Sequence, residues 1–192
     1  MRDSCRPPGL PDELFIRGEA PMTRQEVRAV TLSKACIGRE DTVFDIGAGT
    51  GSISVEAALL AERGMVYAIE RRADRAEVIR ENRERFGCAN MEVIVGEAPS
   101  AMEGLPRADR IIIGGSGGRI EEILRACPGH LKKGGLVLVN AVTLDTLCRA
   151  TAGLEELGFR LEATQLSVTR LVGDRGLMKA SSQVWIIRGW SE

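Results

Sequence analysis

Val43-Phe44, then Asp45-Ile46-Gly47-Ala48-Gly49-Thr50-Gly51, then Ile53-Ser54-Val55-Glu56-Ala57-Ala58: an apolar run enters alternating glycines and leaves through a helix-forming stretch. The order is strand, tight turn, helix start. Glycine takes positive φ and lets another group approach its backbone, and the first turn of a helix presents unpaired N–H donors. The segment therefore predicts an α/β sheet with a nucleotide-binding turn at the end of its first strand. The same glycines would also serve plain tight packing.

Spacing and charge narrow the ligand. A dinucleotide fingerprint places its third glycine three residues after the second, so that pyrophosphate rests on the helix N-terminus. Here Gly47, Gly49 and Gly51 alternate, and Asp45 stands before them. A carboxylate repels pyrophosphate and favours a cationic sulfonium with an amino-acid tail, which points to S-adenosyl-L-methionine. Three further strand ends agree. Glu70 closes Met65-Val66-Tyr67-Ala68-Ile69 about 20 residues on, where an α/β sheet offers an acceptor to ribose hydroxyls; a surface glutamate paired with Arg71 or Arg72 is the alternative. Gly96-Glu97-Ala98 follows Met91-Glu92-Val93-Ile94-Val95 and suits an adenine edge. Gly114-Gly115-Ser116-Gly117-Gly118 follows Arg110-Ile111-Ile112-Ile113 and leaves open space beside the cofactor, or forms a flexible loop.

The chain has 192 residues, enough for one well-buried domain and short for two. Its net charge of −1 implies no global field for nucleic acid or an anionic membrane. No apolar stretch has signal-peptide or membrane-spanning character, so a cytoplasmic protein is expected. Cys5, Cys36, Cys88, Cys127 and Cys148 are scattered without paired spacing; they read as reduced packing residues, and no metal site is expected.

A Pro-rich leader, residues 1–22, precedes Thr23-Arg24-Gln25-Glu26, whose spacing predicts a capping box opening a helix to about Cys36. Strands are expected near 42–46, 65–70, 91–95, 109–113 and 135–141, and helices over 53–61, 73–86, 120–127 and 144–157. Alternating strands and helices make a parallel sheet covered on both faces. Strands near 160–169 and 182–188, joined by a loop without a crossover helix, must run antiparallel. The sum is a mostly parallel seven-stranded sheet with a reversed terminal strand, the Rossmann-like class I methyltransferase plan. Ligands bind outside the carboxyl ends of such strands. The 170–179 segment, with Arg170, Arg175 and Lys179, should overhang that crevice, and Thr23, Arg24 and Arg28 should approach it from the first helix. These cations suggest an anionic substrate, although each also reads as a solvated charge. The single His130 sits at a helix end, where dipole or water contact is the commoner role. No acid–base dyad is evident, and no Asp/Asn-Pro-Pro-Tyr element follows the fourth strand.

Pro11-Asp12-Glu13-Leu14-Phe15, Thr23 with Glu26-Val27-Arg28, the Asp45–Gly51 turn, Tyr67-Ala68-Ile69-Glu70, Gly96-Glu97-Ala98-Pro99, the Gly114–Gly118 run and Leu131-Lys132-Lys133-Gly134-Gly135 together resemble the decarboxylating precorrin-6B C15-methyltransferases of cobalamin biosynthesis. The chain stands without a C5-methylating domain, which resembles the cobalt-dependent branch. The resemblance implies methylation of C15 of a corrinoid with loss of the C12 acetate carboxyl, and a homo-oligomer, a tetramer in the family. It implies a cofactor site at Thr23, Asp45, Gly47, Ala48, Gly49, Thr50, Gly51, Glu70, Glu97, Ala98 and Gly114. Substrate contacts are expected among Arg24, Arg28, Gly115, Ser116, Gly117, Arg170, Arg175 and Lys179, with a less polar wall at the departing carboxylate. A methyltransferase for tRNA or protein carboxyl groups is the rival enzyme. A non-catalytic cofactor-binding protein of the pathway is the rival of another class.

Overall fold

Residues 7–172 and 176–191 are described by the computed structural model. The first strand, β1 (Thr42–Ile46), alternates its side chains between two apolar layers: Val43 packs on one side, Phe44 and Ile46 on the other. β2 (Met65–Glu70), β3 (Met91–Val95), β4 (Ala108–Ile113) and β5 (Leu131–Ala141) extend it as a parallel sheet. The helices α1 (Gln25–Ala35), α2 (Ser52–Leu60) and α3 (Ala73–Arg85) cover one face; α4 (Ile120–His130) and α5 (Leu144–Glu156) cover the other. Both faces are buried, so the central strands are mostly apolar, and buried polar exceptions such as Asp45 and Asn140 lie at or near their carboxyl ends.

After α5 the chain forms β6 (Arg160–Leu166), a two-stranded hairpin of β7 (Thr169–Val172) and β8 (Leu177–Ala180), and β9 (Val184–Trp190). The sheet order is β3-β2-β1-β4-β5-β9-β6, with β9 antiparallel to both neighbours. The reversed strand is thus last in the chain but interior in the sheet. Its own residues require this: Val184, Ile186 and Ile187 are buried, whereas β6 is largely exposed or half-buried and suits an edge.

Three local expectations are corrected. The 170–179 segment is not a plain loop, because Thr169–Val172 pairs with Leu177–Ala180. α4 runs through Pro128 to His130, since a proline in the last turn forfeits only one ladder bond. The Thr23 capping box does not form: Arg24 is the N-cap, without a side-chain capping bond. The Glu26 carboxylate instead pairs with Arg170 from the hairpin, at 2.6 and 2.7 Å.

Candidate active site

Backbone hydrogen bonds tie neighbouring strand ends into one continuous edge. Gly47 and Ala48 donate to the Ile69 carbonyl at 2.9 and 3.2 Å, Gly96 donates to that of Glu70 at 3.0 Å, and Gly114 and Gly115 donate to that of Ile46 at 2.9 and 3.2 Å. With Gly49 bonded to Glu70 Oε2 at 3.0 Å and Gly51 bonded to Ala48 at 2.8 Å, the N–H groups of Gly47, Ala48, Gly49 and Gly51 are all spent internally. It is therefore no pyrophosphate cradle. Its glycines are required by protein as much as by ligand: a Cβ on Gly47 would lie 2.2 Å from the Gly115 carbonyl oxygen, and one on Gly49 2.6 Å from that of Pro21. Gly114 and Gly115 differ, since a Cβ on either meets nothing closer than 3.5 Å.

Two cavities flank this edge. The first, about 230 Å³, is lined by Gly47, Gly49, Glu70, Glu97, Ala98 and the 114–117 run, with Pro21, Ile46, Ile69, Arg71, Arg75, Gly96 and Ile123. Glu70 is 3 % exposed; its second oxygen accepts the Arg72 N–H at 3.1 Å. A carboxylate offers about four lone-pair directions, so two remain for hydroxyls in the cavity. Glu97 is held between Arg119, at 3.1 Å, and Arg71, at 3.5 Å. The second cavity, about 630 Å³, is lined by Thr23, Arg24, Asp45, Gly47, Ala48 and Gly114, with Pro21, Met22, Val27, Ile53, Asn140, Val142, Ala180–Ser182 and Val184. Asp45 accepts from Ser54 Oγ. Burial pushes its carboxyl up to about 6, Ser54 opposing and the Glu70 charge adding. Thr50 and Gly51 line neither cavity: Thr50 is fully buried with its hydroxyl unpaired, and Gly51 abuts Ile79.

The expected basic rim is smaller than the sequence implied. Arg28 is no crevice residue. It is fully buried, donating to Glu56, to Asp12 at 3.3 Å and to the Thr23 and Leu10 carbonyls at 2.5 Å, with Phe15 stacked at 4.6 Å. It fastens the leader to α1 and α2, a role its place on an apolar helix face would have signalled. Arg170 is committed to Glu26 and Asp12. Its pairing holds Glu26 below the usual carboxylate range. Lys179 is exposed on β8, and Arg175 lies outside the described residues. Among the described residues, Arg24 alone brings a cation to the wall of the large cavity. Gly115, Ser116 and Gly117 face the smaller, Glu70-lined cavity instead; of that run only Gly114 reaches the large one. Asn140 and Val142 were missed, although the strand-end rule that picked Glu70 applies equally to β5.

A precorrin methyltransferase domain model matches residues 13–189. The chain belongs to that family. A probable cobalt-precorrin-6B C(15)-methyltransferase (decarboxylating) of Pyrobaculum calidifontis is 41 % identical over 96 % of both chains. Its Salmonella typhimurium counterpart, named without "probable", is 39 % identical over 93 % of this chain and 94 % of that one. Among solved structures, a precorrin-6y C5,15-methyltransferase from Geobacter metallireducens superposes with a TM-score of 0.92 at 38 % identity, over 95 % of this chain and 98 % of that one. Family membership and fold make the chain a methyltransferase. Among the described residues, no helix is long and apolar enough to cross a membrane, and no His/Cys/Asp/Glu group is assembled for a metal.

Proposed function

We propose that the chain, acting as one methyltransferase domain, methylates C15 of cobalt-precorrin-6B and releases the C12 acetate carboxyl as carbon dioxide, with S-adenosyl-L-methionine as donor. The observation that carries this is the junction at Gly114, where the Glu70-lined cavity meets a larger one of about 630 Å³. The donor supplies an electrophilic methyl on a cationic sulfur. Glu70 would hold the ribose hydroxyls, Gly96–Ala98 the adenine, and Asp45 with Gly47, Ala48 and Thr23 the cationic end. The fit is supported by Gly114 and Gly115 faces that leave the first cavity clear and by one buried carboxylate at each cavity, Glu70 at the first and Asp45 at the second.

Methylation of an electron-rich carbon needs alignment more than proton removal; fixed geometry contributes on the order of 7–11 kcal/mol. Pro21 walls both cavities, and the Arg170–Glu26 pair pins the hairpin so that Ala180–Ser182 forms a fixed wall. Arg24, and Lys179 from the hairpin, would hold peripheral carboxylates by charge-assisted bonds. Leu171, Leu177 and Met178 are 63–73 % exposed on the hairpin, supporting a homo-oligomer, a tetramer on the family pattern. A cytoplasmic setting accords with unbridged Cys36, Cys88, Cys127 and Cys148. Supplied with cobalt-precorrin-6B and the donor, the protein should yield S-adenosylhomocysteine and carbon dioxide in equal amounts; neither product forming would overturn the reading.

A further inference from the structure

Asn140, at the end of β5, is 8 % exposed and half-satisfied. Its Oδ1 lies 3.0 Å from Thr31 Oγ1, whose proton is shared with the Val27 carbonyl at 2.8 Å. Its Nδ2 has no partner among the described residues. Buried polar atoms are nearly always paired, so an orphan donor on a cavity wall marks where an acceptor belongs. Asn140 lines the large cavity and also a third, of about 170 Å³. That small cavity shares Gly114 and Val142 with the large one and Gly114–Ser116 with the Glu70-lined one. Its walls are apolar at Ile113, Ile120, Val139 and Val142, and its other side chains, Ser116 and Thr146, are neutral hydroxyls. No charged residue lines it among the described residues.

Resting on the function proposed above, we infer that this small cavity is the carboxylate-release subsite. It takes the acetate arm of C12, and Asn140 Nδ2 holds one carboxylate oxygen. The placement is chemically apt, since C12 belongs to the ring adjoining C15 and the cavity adjoins the Gly114 junction. Addition of a methyl cation at C15 leaves the conjugated ring positively charged. The bond between methylene and carboxyl carbon then breaks, carbon dioxide leaves neutral, and the bonding pair enters the ring and cancels that charge. The proton taken up by the resulting methylene is matched by the one C15 gives up. A cation beside the carboxylate would stabilise the reactant more than a transition state that is losing the charge, and would slow the step. One neutral donor orients the arm without that penalty.

The test is single-turnover reaction of the intact protein with cobalt-precorrin-6B and donor, reading S-adenosylhomocysteine, carbon dioxide and corrinoid mass. Asn140→Asp, which removes the donor and places negative charge at the arm, should lower carbon dioxide per methyl transferred about tenfold or more. The methylated, still carboxylated corrinoid should accumulate. Thr146→Lys, which brings a cation into the same cavity, should do likewise. Donor affinity by calorimetry should stay within about twofold in both. If Asn140→Asp fails to fold, Thr146→Lys decides. A product ratio that stays at the wild-type value in folded protein, whether both steps fall together or neither does, overturns the subsite. Wild type yielding neither product overturns the underlying reaction instead.

Discussion

Glu70 serves the protein and its ligand with the same two oxygens, and replacing it separates those tasks. In Glu70→Ala, the Gly49 and Arg72 N–H groups, now bonded at 3.0 and 3.1 Å, lose their acceptor. A buried donor left unmade costs about 1–3 kcal/mol; the Gly49 N–H is buried and the Arg72 N–H only partly so, so destabilisation of about 2–4 kcal/mol is expected. For a chain of this size that lowers Tm by roughly 5–15 °C. Glu70→Gln keeps the side-chain length and one acceptor oxygen, and should melt between alanine and wild type. Either variant loses an ionised acceptor for ribose, a loss of roughly 1.5–3 kcal/mol, or about ten- to hundredfold in donor affinity. Differential scanning calorimetry without ligand and titration calorimetry with S-adenosyl-L-methionine read the two effects separately. Wild-type affinity in Glu70→Gln refutes the ribose role. A wild-type Tm in Glu70→Ala refutes the claim that this carboxylate braces the turn.

Asp45 should make stability and donor binding respond oppositely to pH. Its carboxyl is raised from 3.8 to about 6 by burial, so the folded state binds this proton more tightly than the unfolded one. Its contribution to stability is fully present below pH 3.8 and is lost as pH rises through about 6. Affinity for the sulfonium should rise over the same interval as the carboxylate ionises, and Asp45→Asn should flatten both trends; an unchanged affinity profile in that variant counts against the charge pairing. Arg28→Met leaves fully buried Glu56 without its cation, while Asp12 keeps Arg170 at 3.4 Å, and should cost about 3–5 kcal/mol in denaturant melts. Arg24→Ala should leave the melt unchanged and raise KM for the corrinoid, and the reverse pattern would exchange their roles. Gly115→Val adds a side chain with no atom nearer than 3.8 Å to its Cβ, so the fold should hold while donor affinity falls; undiminished binding would show that the 114–117 run does not wall the donor cavity.

The strand–turn–helix at 43–58 and the three strand ends after it were legible because local rules govern them: period, glycine, and the carboxyl-edge position of ligands in a parallel sheet. Glu70, Asp45 and Gly114 stand at the cavities their positions along the chain implied. What the sequence left open depended on partners far along the chain. Thr23 and Glu26 have capping-box spacing, yet Glu26 is claimed by Arg170, 144 residues away. Arg28 has the composition of a substrate contact, yet buried Glu56 and Asp12 draw it inward. The glycine turn looks like a donor of free N–H groups until the Ile69 carbonyl and Glu70 are seen to take them. Asn140 has no motif at all. Its unpaired amide means something only where β5 ends between two cavities, because a side chain's chemistry is fixed by residue type but its availability is fixed by what else has been folded against it.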